Sequence, residues 1–529
     1  MADFLPYYTQ DGSVGLYSKE FDDIYHSVFG AYSEAYDKFI LPANFNKFLN
    51  RNDNIKILDI CYGIGYNSKS FLSYFLDYIQ SKKINKIKKN CEKFLKIYKK
   101  EQNINCTNKA NTESLYTDKK LNNKIYIDST YTDKNAVSFA NNISSIYSDN
   151  IVGNIFCESI DKNSLCNETI CSNNTFKNIF LKLISKFIKS DKKINYEQKT
   201  LNENDSETII SNSQTNSSDF CNGKYAIKIN AIDIDDTLVK LSPLFKYKHN
   251  RQKIKLTGVH AVDKYLKKTN LRIKNKYKYH KEVNYILLIK LLERIKDNYF
   301  DYDLKNILQD KKFGNYFDKE MVSFIKYYFY DRYKLSSCKY KLPFLHNIYY
   351  RYISRSYKNA LQALSYMDFD FNCNFGDARD ILKFDSNTYD FIFLDAFTPT
   401  KTPNLWTYDF FKLLYNKLNP DGILLTYSNS AAIRNALLKN GFHVGKIFNK
   451  SENKFTGTIA SKNIDNIEYP LNDFDIGLIT SKAGIVFRDE NLNLPNEIIM
   501  KNREIEVANS SLISSTMYLK NYKEKHNEV

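Results

Sequence analysis

Nine cysteines are spread over 529 residues with no Cys-x-x-Cys pair and no His-x-x-His companion, so the spacing that builds a zinc site is missing. Cys157, Cys166 and Cys171 cluster, but in a polar low-complexity stretch, and reduced cytosolic thiols with no metal are the expectation. No apolar run approaches the roughly 18 residues of a membrane span. The opening MADFLPYYTQ lacks the basic and apolar regions of a secretion leader. A cytoplasmic protein with no membrane partner is therefore expected. A GxGxxG dinucleotide fingerprint is absent as well. Tryptophan occurs once, as Trp406.

Charge is what the chain has in excess. The formal net charge is +17 and the pI near 9.1, which suits a polyanionic partner. Lysine, asparagine, isoleucine and tyrosine dominate throughout, as under AT-biased codon usage, so the charge supports nucleic-acid binding without establishing it. The 42 tyrosines are read first as compositional and only then as base-stacking platforms. The length accommodates roughly two to four ordinary domains.

Four segments carry chemistry. FIFLDAFTPTKTPNLW, residues 391–406, opens as a buried strand that ends on Asp395, and Pro399 breaks any continuation. The carboxyl end of such a strand is where open α/β sheets bind ligands. An aspartate there also serves as an N-cap of a following helix. IKILDICYGIGYN, residues 55–67, runs through Asp59 into a turn with Gly63 and Gly65, then a helical pattern near Asn67. Glycines in a strand-to-helix turn let the backbone approach a ligand at the helix N-terminus. The strand pattern after residue 224 closes on Asp233, a position that accepts ribose hydroxyls in nucleotide-binding α/β folds. NFGDARDIL, residues 374–382, places Asp377 after a further strand.

The glycine turn resembles motif I of S-adenosylmethionine (SAM) methyltransferases, with Cys61 in the first glycine position. Asp377 then matches the acid that accepts the adenine amino group in such enzymes. Asp395-Ala396-Phe397-Thr398-Pro399 resembles, with wider spacing, the Asp/Asn-Pro-Pro-aromatic motif that grips an amine nucleophile. A closer resemblance is to the methyltransferase domain of the MnmC family. It rests on Gly376-Asp377, Asp395, Phe397, Pro399, Lys401, Pro403, Trp406, Thr407, Pro420, Gly422, Thr426, Arg434 and Gly441-Phe442. Asp22, Asp23, Tyr25, His26 and Glu34 carry it at the N-terminus, and residues 454–463 match the family's last strand.

This resemblance implies an α/β fold: a Rossmann-like SAM-dependent methyltransferase sheet with helices on both faces. The core is expected in pieces, 1–80, 224–245 and 356–465. A polar Lys/Asn-rich insertion, partly disordered, spans 81–223, with helix candidates at 82–102 and 175–193. A helical insertion subdomain covers 246–355, where the aromatic and basic segment 345–355 is a candidate for base or phosphate contact. Residues 466–529 are read as a loop and helix wrapping back on the domain.

The implied reaction is SAM-dependent methylation of the 5-aminomethyl group on a wobble (2-thio)uridine of tRNA. Asp59, Gly63, Gly65, Asp233 and Asp377 would hold SAM. Asp395 would orient the amine, and the backbone from Phe397 to Pro399 would hold its other hydrogen. Phe397 or Trp406 would stack on the extruded base, Lys401 would contact phosphate, and Asp22 and Tyr25 would stand on the substrate side. About 65 residues remain after 465, with no second glycine turn, so no FAD oxidase domain is expected and a separate enzyme would install the aminomethyl group. Two alternatives stay open: a polyamine-type aminopropyltransferase, and a non-catalytic tRNA-binding protein of the same fold. Oligomeric state is not legible.

Overall fold

The structure is a computed structural model that describes residues 4–82, 85, 225–247, 279–295, 298–299, 301–332, 355–450 and 452–526. The chain divides into two compact units, residues 1–80 with 216–529 and residues 81–215. Every element described below belongs to the first. The helix candidates at 82–102 and 175–193, and the aromatic–basic stretch up to 354, lie almost wholly outside the described residues.

A three-stranded antiparallel meander comes first: β1 (Phe4–Tyr8), β2 (Val14–Ser18) and β3 (Asp23–Ile24). The main sheet has seven strands: β4 (Asn54–Ile60), β5 (Tyr225–Asp233), β6 (Met367–Phe375), β7 (Tyr389–Leu394), β8 (Leu418–Thr426), β9 (His443–Asn449) and β10 (Lys454–Ser461). Their spatial order is β6-β5-β4-β7-β8-β10-β9. The first five are parallel neighbours, and β10 pairs antiparallel to both β8 and β9. This is the expected Rossmann-like α/β sheet. The sequence order turns back at β4, which lies between β5 and β7, and ligands bind outside the strand ends at such a switch point.

The apolar runs follow from burial on both faces. Ile57, Phe391, Phe393 and Leu425 enter one core, while Leu58, Ile60, Ile392, Leu394 and Leu424 enter the other. A central parallel strand covered on both sides has no solvent face to make polar, so it reads as a continuous hydrophobic stretch. Helices supply both covers. Residues 66–80 and His280–Ile295 contribute Phe71, Phe75, Ile286 and Leu287 to the first core. Helices Tyr408–Lys417 and Ala431–Lys439 contribute Phe410, Leu414, Ile433 and Leu437 to the second. Leu304, Phe313 and Met321, from the inserted helices after residue 300, enter the first core too.

Candidate active site

The turn between β4 and the helix at 66–80 is wound left-handed. Cys61, Gly63 and Gly65 have φ of 61°, 54° and 75°. A Cβ on Gly65 would lie 2.2 Å from the Tyr62 ring, so no side chain fits there. Cys61 occupies, with a Cβ, a conformation that glycine adopts at no steric cost.

A cavity of about 310 Å³ opens at this turn, at the β4–β7 switch point. Its wall includes Cys61, Gly63, Asp233, Asp377, Asp395, Phe397 and Tyr25, so six of the twelve residues picked from sequence meet here. Asp233 Oδ2 accepts from the Gly63 N–H at 2.6 Å, and Oδ1 accepts from the Asp235 N–H at 2.9 Å. Burial pushes the Asp233 carboxyl up to about 6. Asp377 caps the helix Ala378–Phe384 through the Arg379 N–H at 2.8 Å. The Arg379 guanidinium also grips the Asp377 carboxylate, and its Nη1 donates to Asp489 Oδ2 at 2.6 Å.

Asp395 directly follows β7, and its Oδ2 accepts from Asn67 Nδ2 at 3.0 Å. It caps no helix: the next helical turn, Pro403–Trp406, starts from Thr402. Burial first, and the Glu34 charge second, push the Asp395 carboxyl up to about 7. Phe397 stacks on Phe21 at 4.7 Å between ring centroids and meets the edge of Tyr25 at 5.0 Å. These contacts bring the loop before β3, and the residue just after it, onto the carboxyl end of β7.

Six expectations differ from what is found. Asp59 is fully buried beneath the turn, not on the cavity wall. Side chains alternate along a strand, and Asp59 shares with Ile55 and Ile57 the face that enters the first core. Its Oδ2 accepts from Ser68 Oγ at 2.6 Å, its Oδ1 has no partner, and burial lifts it to about 7. Gly65 supports the turn without lining the cavity. Trp406 has 0% exposure, so it cannot stack on an extruded base. Its Nε1 instead donates to the Phe397 carbonyl at 2.8 Å, joined by Thr402 Oγ1 at 3.0 Å, so that carbonyl is already engaged. Pro399 and Lys401 belong to the turn beyond the wall, with Lys401 exposed. Asp22 is exposed and accepts from the Tyr17 hydroxyl, leaving Asp23 on the cavity.

The wall also contains residues to which sequence reasoning gave no role: Phe21, His26, Glu34, Tyr427 and Asn496. His26 and Glu34 were visible as part of the family match. Burial holds the His26 imidazole down near 4, hence neutral, and its Nε2 has no partner. Burial also pushes Glu34 up, but Lys38 at 2.6 Å and the Ser27 N–H outweigh it and leave the carboxyl below its usual range. Tyr427 follows the last residue of β8, a strand-end signal. Asn496 opens the helix Asn496–Asn509 of the C-terminal segment and has no local signal.

Residues 343–463 match the model of a family described as S-adenosyl-L-methionine-dependent methyltransferase. Over 140 residues the chain is 34% identical to an uncharacterised protein of Methanocaldococcus jannaschii, covering 26% of this chain and 39% of that one. Over 72 residues it is 40% identical to the tRNA 5-methylaminomethyl-2-thiouridine biosynthesis bifunctional protein MnmC of Azoarcus sp., covering 14% and 11%. The chain thus spans well under half the length of either relative. A crystal structure of MnmC2 from Aquifex aeolicus aligns with TM-score 0.42 at 15% identity, over 96% of this chain and 86% of that one. No helix among the described residues is long and apolar enough to cross a membrane, and none of their His, Cys, Asp and Glu side chains group as a metal site.

Proposed function

We propose that this chain, which carries a SAM-dependent methyltransferase domain of the MnmC type, methylates the 5-aminomethyl group of a wobble (2-thio)uridine in tRNA. The observation that carries the reading is the row of carboxyl groups on the cavity wall. Asp23, Glu34, Asp233, Asp377 and Asp395 line it, and no lysine or arginine does among the described residues. Such a wall favours cations, and both the donor's sulfonium and the ammonium formed by methyl transfer are cationic.

The residues present fit the donor. The left-handed turn at Gly63 would admit its amino-acid end, Asp233 its ribose and Asp377 its adenine. Bound there, the sulfonium supplies a methyl group to the attacking nitrogen, and the C–S electron pair returns to sulfur. Everything else falls to the chain. Asp395 accepts a hydrogen bond from the neutral amine, orients its lone pair, and stabilises the ammonium that results. The aromatic group Phe21, Tyr25 and Phe397 encloses the reacting atoms. No covalent enzyme intermediate is needed. The net charge of +17 is consistent with tRNA as substrate.

Single-turnover methyl transfer to tRNA bearing that group, read by nucleoside mass spectrometry, tests the proposal. Asp395→Asn should slow transfer by about 10²- to 10⁴-fold, with SAM affinity nearly unchanged, and Asp395→Ala should be at least as slow. Near wild-type turnover by Asp395→Asn would remove Asp395 from the mechanism. Transfer of an aminopropyl group from decarboxylated SAM to a diamine would instead favour the polyamine reading.

A further inference from the structure

We propose that Asn67 is the positioning residue for Asp395, holding one carboxylate oxygen so that the other is presented to the amine. The inference rests on the reading of Asp395 given above. Asn67 is 3% exposed and lies in the first turn of the helix that follows Gly65. Asparagine is a weak helix former, and this one is costly in a second way, because its buried Oδ1 has no partner. Its Nδ2 meets Asp395 Oδ2 at 3.0 Å across 328 positions of sequence. A buried amide left half-satisfied needs a reason, and the hydrogen bond it donates to Asp395 supplies one.

The location matters as much as the bond. Asn67 is two residues past Gly65, so its place depends on the left-handed turn that would take up the donor. One side chain therefore links the donor turn on β4 to the reactive end of β7. A hydrogen bond donated to the ionised form favours that form, so Asn67 also helps Asp395 stay charged. The other groups acting on Asp395 are Glu34 and Lys38 from the N-terminal helical segment, Asp59 and Cys61 from the end of β4, and Tyr427 after β8. Asn67 itself also acts on Asp59, whereas Glu34, Lys38, Cys61 and Tyr427 stay as they are when Asn67 is substituted.

The test uses the full chain in two arms. In the first, the Asp395 carboxyl is titrated by ¹³C NMR, assigned by its loss in Asp395→Asn, which needs no tRNA. Its midpoint should rise in Asn67→Ala, and rise further in the isosteric Asn67→Asp, where a carboxylate replaces the amide. In the second arm, single-turnover methyl transfer in Asn67→Ala should fall by about 10- to 100-fold, its pH profile should move to higher pH, and SAM affinity should stay within about two-fold. Asn67→Gln, which keeps the amide, should recover part of the rate. If Asn67→Ala does not fold, Asn67→Asp carries both arms. An unmoved midpoint in a folded variant overturns the proposal, as does loss of SAM binding with an unchanged pH profile. A shifted midpoint in a protein that never methylates aminomethyl tRNA would preserve the link between Asn67 and Asp395 and overturn the substrate reading instead.

Discussion

The Gly63 N–H donates to Asp233 Oδ2 at 2.6 Å, joining the glycine turn to the tip of the neighbouring strand across 170 positions of sequence. Parallel pairing of β4 with β5, Ile60 opposite Ile232, makes this contact possible. Removing the carboxylate therefore acts on the turn and, in the proposed binding mode, on the ribose as well. A hydrogen bond to a charged group contributes about 1.5–3 kcal/mol net. Asp233→Ala should weaken SAM binding by about 10- to 100-fold by calorimetry, with a smaller loss in Asp233→Asn. Unchanged affinity would leave Asp233 a support of the turn alone.

Three of the raised carboxyls, those at and beneath the cavity, make stability depend on pH in a definite direction. Asp59 and Asp395 stand near 7 and Asp233 near 6, each lifted chiefly by burial. A group whose folded pKa exceeds its unfolded one stabilises the fold below the unfolded value, and that contribution is lost as pH rises through the folded value. The ligand-free protein should lose melting temperature from about pH 4 to pH 7 on account of these groups. Asp59→Asn keeps an acceptor for Ser68 and should flatten that slope, with a higher Tm at pH 8. A Tm in Asp59→Asn no higher than wild type at pH 8 would contradict this account.

Arg379 holds two carboxylates at once, Asp377 on the cavity and the fully buried Asp489 of the C-terminal segment. Breaking a buried pair by removing one partner typically costs about 3–5 kcal/mol. Arg379→Ala should lower stability by that order in chemical denaturation and weaken SAM binding, because Asp377 loses its clamp. The double variant Arg379→Ala with Asp489→Asn should cost less than the sum of the two single changes. Strict additivity would mean that the C-terminal segment does not act through Arg379.

Cys61 has a φ of 61°, which costs an L-residue roughly 1–2 kcal/mol. Cys61→Gly removes that strain but frees the unfolded chain, so a net gain of up to about 1 kcal/mol is expected, measured by denaturant midpoint. SAM binding should persist. A clear loss of stability would show that the thiol's packing outweighs the backbone strain.

What the sequence determined by itself is the set of strands with their ends. The central strands β4 and β7, buried on both faces, read as apolar runs, while β5 and the edge strand β6 carry polar residues at intervals. The strands leading to Asp233, Asp377 and Asp395 each stop at an acid, just before one, or just before a glycine. Asp233, Asp377 and Asp395 were legible for that reason, as were Gly63 and Gly65 from the turn between strand and helix. Side-chain direction and long-range contact were decided only in three dimensions. Asp59 falls on the face of β4 that enters the first core, and Trp406 turns inward to hold the Phe397 carbonyl. That the last strand, β10, inserts between β8 and β9 was decided only in the fold, because antiparallel pairing leaves no mark in the composition of a single strand. Asn67 meets Asp395, and Asn496 reaches the cavity, through contacts that exist only once the sheet has brought distant segments together. Apolar periodicity records burial, but not which polar atom a buried side chain will face.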